Sequence, residues 1–560
     1  MDSEGGARRP LVFGSFRGFT SAQLGRDLLA GLTLAAITIP EQMATAKLGG
    51  FEPQIGFYAF IGATVGFAVL GASRVLTAGA DSTITPIFAG TLAALAASGS
   101  PSLQSVAVAL AFLVGVALLV AGILKLGGIA NLLSTPVMTG FLAGIAVHIL
   151  VSQLPSVFGI EKGHGDLLMQ AAAIARELPA LNPFSTAIGL GVFIVILLTE
   201  RISARIPGAL VGLVVATLAV LAFGLEGRGV AVLGPLPGGL PHLVVPALDD
   251  MRPLLPLALI IALVIMMQAA AVSHSFRHAG EEPDVNRDFL GLGAGNLVAG
   301  LFGAFPINAS PPRTAVVAES GATSQVGALA AAAIVLVLVL WGRALLAPVP
   351  EAALAGVLLF VAQRVIRFAT IMQIAHQAPR ECALVLLTAA AVVVLPIQTG
   401  VAIGIGLSLL HGVWMTTRTR PIELQKLPGT TVWWPPETAE QGSRQQGVMV
   451  IGFPGPLLFA NAHSFKHGMI ETIDAHDGRP SLVVLEASGI ADVDFTAAQA
   501  LSEVIGHCRA VDIHFAVARL ESVRAIRALG RFGVLAELGP EYLFHSVEEA
   551  VKTHAPRPPS

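Results

Sequence analysis

Long apolar runs with short polar breaks fill the chain from residue 27 to residue 416. They lie at 27–46, 54–71, 82–97, 103–124, 131–152, 183–200 and 207–224, then at 254–275, 288–304, 311–320, 323–346, 351–369, 380–396 and 398–416. A helix needs about 20 apolar residues to cross a bilayer, so most of these runs read as spans, and the short ones read as half-helices or tilted pairs. After residue 447 the pattern changes. Val448–Phe453, Leu457–Ala460, Ser481–Ala487 and His514–Val517 read as short strands, with helices over 461–475, 496–509, 522–531 and 546–553. Alternation of this kind predicts an α/β sheet covered by crossover helices. Residues 1–26, with Arg8, Arg9, Arg17 and Arg26, read as a polar, basic arm, and 421–446, with Pro435-Pro436, as a linker. The predicted organisation is an arm (1–26), a polytopic helical membrane domain (27–420), a linker (421–446) and an α/β domain (447–554).

Two stretches break the apolar pattern from within. Pro306 to Gly321 holds Asn308, Ala309, Ser310, two prolines, Arg313 and Thr314. Proline suits the first turn of a helix, where its missing N–H is not needed, so Ser310 reads as the start of a helix that begins inside the membrane. Such a start leaves backbone N–H groups unpaired and turns a positive dipole end into the protein. Irregular backbone at that depth persists only where protein or a water-filled cavity covers it, and an anion is its natural ligand. Thr77 to Pro86, with Ala80, Asp81, Ser82 and Thr83, has the same character about 230 residues earlier. One interrupted segment in each half predicts an inverted-repeat transporter, with its site between two half-helix N-termini.

Charge sets the orientation. With the N-terminus inside and fourteen spans, roughly sixteen Lys and Arg fall on the cytoplasmic side against roughly six outside. The expectation is a multi-pass protein of a bacterial-type inner membrane, with its N-terminus and α/β domain in the cytoplasm. Only 12% of the 560 residues are charged and 54% are hydrophobic, far from the ~25% charged of an average soluble domain. A net charge of −3 points to no nucleic-acid partner. The two cysteines, Cys382 and Cys508, exclude a disulfide scaffold. No nucleophile–base pair, metal motif or phosphate loop stands out, so neither an enzyme nor a cofactor is expected.

Four motifs carry a resemblance that runs from about residue 20 to residue 554. Ile39-Pro40-Glu41-Gln42-Met43-Ala44-Thr45-Ala46 is similar to the first-span proline motif of the sulfate permease (SulP) family. Asn286-Arg287-Asp288-Phe289 with Gly293 and Asn296 resembles that family's ninth-span start, and Asn308 to Ala315 lies over its tenth-span Thr-Gly-Ser-x-Ser-Arg-Ser-Ala pattern. Leu458-Phe459-Ala460-Asn461-Ala462 and Asp492-Val493-Asp494-Phe495-Thr496 resemble the two signatures of a STAS domain. The resemblance implies two inverted seven-span repeats, half-helices 3 and 10, a C-terminal STAS domain and a homodimer in the lipid bilayer. It implies carriage of a small inorganic or carboxylate anion: sulfate, bicarbonate, chloride, oxalate or a dicarboxylate. Symport with protons, exchange and channel behaviour all occur in the family. A sensor that signals through the STAS domain to a cytoplasmic protein is the alternative of another kind.

The site residues follow from the two half-helix starts and the resemblance. Gln42, Ala80, Asp81, Ser82, Thr83, Gln268, Ala309, Ser310, Arg313 and Thr314 are the candidate anion-binding residues, and Glu41 and Asp81 the candidates for proton coupling. The family usually has Gln where this chain has Glu41, an acid where it has Gln268, and an uncharged Gly-Pro type start where it has Asp81. A carboxylate at the bilayer centre costs at least ~2.5–3.5 kcal/mol, which makes Glu41 a functional candidate; ionised it repels an anion, and protonated it does not. Each of the others has a structural alternative. Asp81 fits an N-cap, Arg313 could brace carbonyls, Gln268 could join helices, and the hydroxyls are ordinary caps. Thr496 falls where related anti-sigma-factor antagonists carry a phosphorylatable residue, and either regulation or capping of its helix fits.

Overall fold

The computed structural model describes residues 12–16, 20–97, 102–128, 134–163, 165–203, 206–235, 239–246, 251–276, 282–436, 442–476 and 478–554. Much of the predicted arm, and residues 437–441 of the predicted linker, lie outside them. The chain divides into two compact units, Met1–Ser408 and Leu409–Ser560.

In the first unit the helices form where the apolar runs lie. They are α1 (Leu24–Leu48), α2 (Pro53–Leu70), α3 (Thr85–Ala97), α4 (Leu103–Ile123), α5 (Thr135–Phe158), α6 (Leu167–Glu177), α7 (Pro183–Ile202) and α8 (Gly208–Phe223). After them come α9 (Leu255–Ser275), α10 (Val285–Leu301), α11 (Pro311–Glu319), α12 (Val326–Trp341), α13 (Glu351–Val365), α14 (Phe368–Gln377) and α15 (Pro379–Val394), and the division at Ser408 falls within α16 (Ile397–Thr417). Among the described residues eight helical segments are long and apolar enough to cross a membrane. The short helices α6 and α14 add to the predicted runs; at eleven and ten residues each falls well below the length of a span.

Two helix groups emerge from the packing. α1, α2, α4, α9, α10 and α12 form one; α5, α7, α8, α13 and α15 form the other; α1 also touches α8 and α13 of the second group. Without a hydrophobic drive between helices in lipid, close approach depends on small residues. Gly66 of α2 shows how close: a Cβ there would lie 2.4 Å from the backbone nitrogen of Gly295 on α10.

Two short strands sit inside the first group. β1 (Ala78–Gly79) and β2 (Asn308–Ala309) pair antiparallel, Ala78 with Ala309 and Gly79 with Asn308. Each leads into a half-helix, β1 into α3 and β2 into α11.

The second unit is built on a six-stranded sheet in the order β4-β3-β5-β6-β7-β8. The strands are β3 (Ile422–Lys426), β4 (Trp433–Trp434), β5 (Val448–Gly452), β6 (Leu482–Glu486), β7 (His514–Ala518) and β8 (Leu543–Phe544). β5 to β8 run parallel, while β3 is antiparallel to both β4 and β5. Strands covered on both faces read as continuous apolar runs, and every residue of β5 is buried. α17 (Phe459–Asp474), α18 (Phe495–Ala510) and α19 (Val523–Arg531) cover one face and α21 (Val547–His554) the other, with the short α20 (Val534–Leu538) beside α18.

Two expectations change here. The stretch 421–446 contributes β3 and β4 to the sheet, because Ile422-Glu423-Leu424 alternates and buries Leu424, and Trp433 is buried too. Leu457–Ala460 is no strand: Leu457 makes one bridge to Val493 and α17 begins at Phe459. Asn461 turns the chain there, accepting from the Leu458 N–H at 2.8 Å and donating to the Pro456 carbonyl at 2.9 Å.

Candidate functional site

The strand pair places the two half-helix starts side by side. Ser310 donates its N–H to the Thr77 carbonyl at 2.9 Å, and the Thr77 N–H returns a bond to Thr314 Oγ1 at 3.1 Å. Ser310 is the N-cap of α11, with Pro311 at its first position, as read from the sequence. Its hydroxyl caps nothing: it is buried and has no hydrogen-bond partner.

α1 crosses behind the pair with its proline motif. Gln42, fully buried, accepts from the Ala80 N–H at 2.8 Å and donates to the Ala80 carbonyl at 2.9 Å. Its amide therefore continues the strand pairing where β1 ends. Gly79 is necessary beside it, since a Cβ would come 2.9 Å from Gln42 Oε1 and 3.1 Å from the Phe60 ring.

Asp81 begins the turn into α3. Its Oδ1 accepts from the Thr83 N–H at 2.9 Å and, by a very short contact, from the Thr83 hydroxyl; its carbonyl accepts from Thr85 N at 3.1 Å and Thr85 Oγ1 at 2.8 Å. This is capping geometry of the kind short acids adopt at helix starts. The helix proper starts at Thr85, three residues after the predicted start. Gln268 on α9 joins the halves, donating to Thr83 Oγ1 at 3.0 Å and accepting from Asn308 Nδ2 at 2.7 Å. Asn308 Oδ1 in turn accepts from the Ala309 N–H at 2.8 Å. Ser82 is buried at the same turn.

Arg313 lies at the centre and is fully buried. Nη1 donates to the Ala80 carbonyl at 3.2 Å and stands 3.8 Å from Glu41 Oε2. Its Nε and Nη2 have no hydrogen-bond partner. A buried polar group without a partner is costly, and a charged one more so. Two guanidinium nitrogens and the Ser310 hydroxyl thus present unmet donors in a buried setting, beside a carboxylate that is nine-tenths buried.

Every candidate from Glu41 to Thr314 therefore falls in one cluster, but the members differ in what they have left to offer. The Ala80 and Ala309 backbones, Gln42, Gln268, Asp81 and Thr314 already hold partners within the protein. Ser310 and Arg313 retain free donors. Asn296 belongs to the ninth-span motif and not to the candidate anion-binding residues. It accepts from the Ile307 N–H at 3.0 Å and donates to the Ile307 carbonyl at 3.2 Å, holding the approach to β2. Thr496, in the second unit, is exposed at the start of α18, and the cap of that helix is Asp494, whose Oδ1 accepts from the Ala497 N–H at 2.9 Å.

Comparison with known proteins gives a consistent picture. Residues 24–388 match the sulfate permease family and residues 442–550 the STAS domain. A probable sulfate transporter of Mycobacterium tuberculosis strain H37Rv is 31% identical over 545 residues, covering 96% of this chain and 96% of its own. Mouse solute carrier family 26 member 10 is 28% identical, over 94% of this chain and 82% of its own. Among solved structures, the murine solute carrier 26 family member A9 anion transporter in the inward-facing state aligns with a TM-score of 0.87 at 21% identity, covering 97% of this chain and 94% of that one. The transmembrane domain of a cyanobacterium bicarbonate transporter aligns with a TM-score of 0.60 at 22% identity, over 70% of this chain and 98% of its own.

Proposed function

The chain belongs to the sulfate permease family and is a multi-pass anion transporter, and on that premise we propose that it carries one small oxyanion or dicarboxylate together with a proton. The substrate class is sulfate, bicarbonate or a dicarboxylate. The anion docks between the starts of α3 and α11, on Arg313 and Ser310. The observation that carries the reading is the buried guanidinium with two unpartnered nitrogens next to Glu41. Such a group wants a planar or tetrahedral oxyanion, which can accept from two N–H groups at once. The two helix starts add positive field without adding mobile charge.

Glu41 makes the proton part of the cycle. Ionised, its carboxylate stands 3.8 Å from Arg313 and competes with the substrate for the same positive charge. Protonated, it releases Arg313 to the anion. Anion and proton then bind together and leave together, which is symport. Asp81, used as a cap by Thr83, is the second candidate for the proton. The transporter works as a homodimer in a bacterial-type inner membrane with its STAS domain in the cytoplasm. There Thr496 is accessible to a kinase, and a phosphate beside Asp494 would bring like charges together at the start of α18.

Uptake into liposomes of labelled sulfate, bicarbonate, succinate and fumarate, with and without an inward proton gradient, tests the proposal. Gradient-stimulated uptake of one anion is expected. Equal uptake without a gradient, dependent on internal anion, would make the protein an exchanger; flux that saturates with neither would make it a channel; binding with no flux would make it a sensor.

A further inference from the structure

A second charged cluster lies away from the central site, at the C-terminal end of α1. Lys47, in the last turn of α1, pairs with Glu351 at 2.9 Å. Glu351 is the first residue of α13, so the pair ties the two helix groups of the membrane unit together. Both side chains are about one-third exposed (36% and 34%) and line a cavity of about 180 Å³ with Glu52, Gln153, Ser156 and Lys162. The cavity is roomy enough for a small anion, and Lys47 lies six residues, or about 9 Å, further along α1 than Glu41.

We propose that this cavity is a capture site for the transported anion, and that Glu351 is a tethered carboxylate occupying it in the anion's absence. The proposal rests on the anion-transport reading and on the orientation that puts the end of α1 outside. The chemistry is an exchange of partners. An arriving oxyanion takes the Lys47 ammonium from Glu351, with Lys162 as second cation and the Gln153 amide and Ser156 hydroxyl as neutral donors. An ion pair this exposed is weakly held, so an anion at ordinary transport concentrations can displace it. Losing that contact removes the Lys47–Glu351 ion pair between α1 and α13 and leaves their helix packing to hold the two groups on that side. The anion thus weakens, by binding, one contact between the two helix groups. Glu52, the other carboxylate on the cavity wall, opposes the anion, so the exchange depends on Lys47 and Lys162 together.

The test compares the two sides of the membrane. Uptake is measured in right-side-out and inside-out vesicles carrying the full-length protein, using the anion that the liposome panel identifies. Lys47→Met is expected to raise the outer-side KM about threefold to tenfold and leave the inner-side KM unchanged. Glu351→Gln, which removes the competitor, is expected to lower the outer-side KM about threefold. A merely structural role would move both sides in the same direction in both variants. Equal shifts on the two sides, or an unchanged outer KM in both variants, would overturn the proposal. Wild-type vesicles with no flux on either side would instead sink the transport reading on which it stands. A folding defect in Lys47→Met is controlled by Lys47→Arg, which keeps the charge and is expected to retain the wild-type outer KM.

Discussion

Replacing Glu41 with Gln tests the proposed step at which proton and anion meet. Glu41 Oε2 and Arg313 Nη1 are 3.8 Å apart, and both side chains are nearly or fully buried. At an effective dielectric of about 20 the attraction between the unit charges is roughly 4 kcal/mol. On the proposed mechanism the substrate must overcome that attraction before it can use Arg313. At 1.4 kcal/mol per factor of ten, ionised Glu41 lowers anion affinity by up to roughly a thousandfold. Wild-type uptake should therefore rise as the outer pH falls, with an apparent affinity that changes by at most about tenfold per pH unit, the limit for one linked proton. Glutamine has the shape of the protonated acid and never carries the charge. Glu41→Gln should bind the anion at every pH, show a flat pH profile, and still exchange internal for external anion while losing stimulation by a proton gradient. The assay is initial uptake into liposomes from pH 5 to pH 8, paired with counterflow at fixed pH. A Glu41→Gln protein that keeps the wild-type stimulation by an inward proton gradient would refute the reasoning, and the proton would then have to be placed elsewhere, with Asp81 first in line.

Other outcomes follow from the same geometry. Arg313→Gln should abolish uptake and destabilise the protein by about 3–5 kcal/mol, because it strands Glu41 as a buried charge; the Glu41→Gln/Arg313→Gln double variant should recover most of the thermal stability, read by unfolding in detergent, but none of the transport. Asn296→Ala removes the partner of the buried Ile307 N–H and should lower stability by about 1–3 kcal/mol in the same assay. In the STAS unit, burial first and Asp474 second push the Cys508 thiol up to about 12. At neutral pH it is a thiol, not the nucleophilic thiolate, so maleimide should leave it unlabelled in the folded protein and label it after denaturation, as mass spectrometry of the peptides would report.

Much of the membrane unit was legible because a bilayer imposes local demands. Apolar length alone brought the predicted span at 103–124 to within a residue or so of α4, and prolines with Arg313 and Ser310 announced a helix starting in the wrong place for an ordinary span. What stayed hidden were contacts between distant residues through the backbone. Gln42 reads as a side chain facing an anion, yet it holds the backbone of Ala80, and no property of residue 80 advertises that partner. Asn308 and Asn296 are not legible as site residues for the same reason: their partners are an amide and backbone groups rather than charges. In the STAS unit, Thr496 invited a capping role by its place at a helix start, but Asp494 holds that position. β3 was missed because one buried leucine in a five-residue alternation is a faint signal against a polar background.

The antiparallel contact between β1 and β2 also sets a constraint on how the protein is made. Ala78 and Gly79 find their strand partners at Ala309 and Asn308, about 230 residues later in synthesis. At a ribosomal rate of about 5–20 residues per second that is an interval of roughly ten to fifty seconds. Throughout it, the first half-helix and its strand sit in or beside the bilayer with backbone groups that only the second half can satisfy, in a solvent that offers no substitute. Neither half is complete as a folding unit, and the nascent chain must be sheltered, by the insertion machinery or by its own α1 and α2, until residue 314 arrives. Variants that weaken the strand pair should therefore reduce the amount of protein that survives biogenesis before they slow any molecule that reaches the membrane intact.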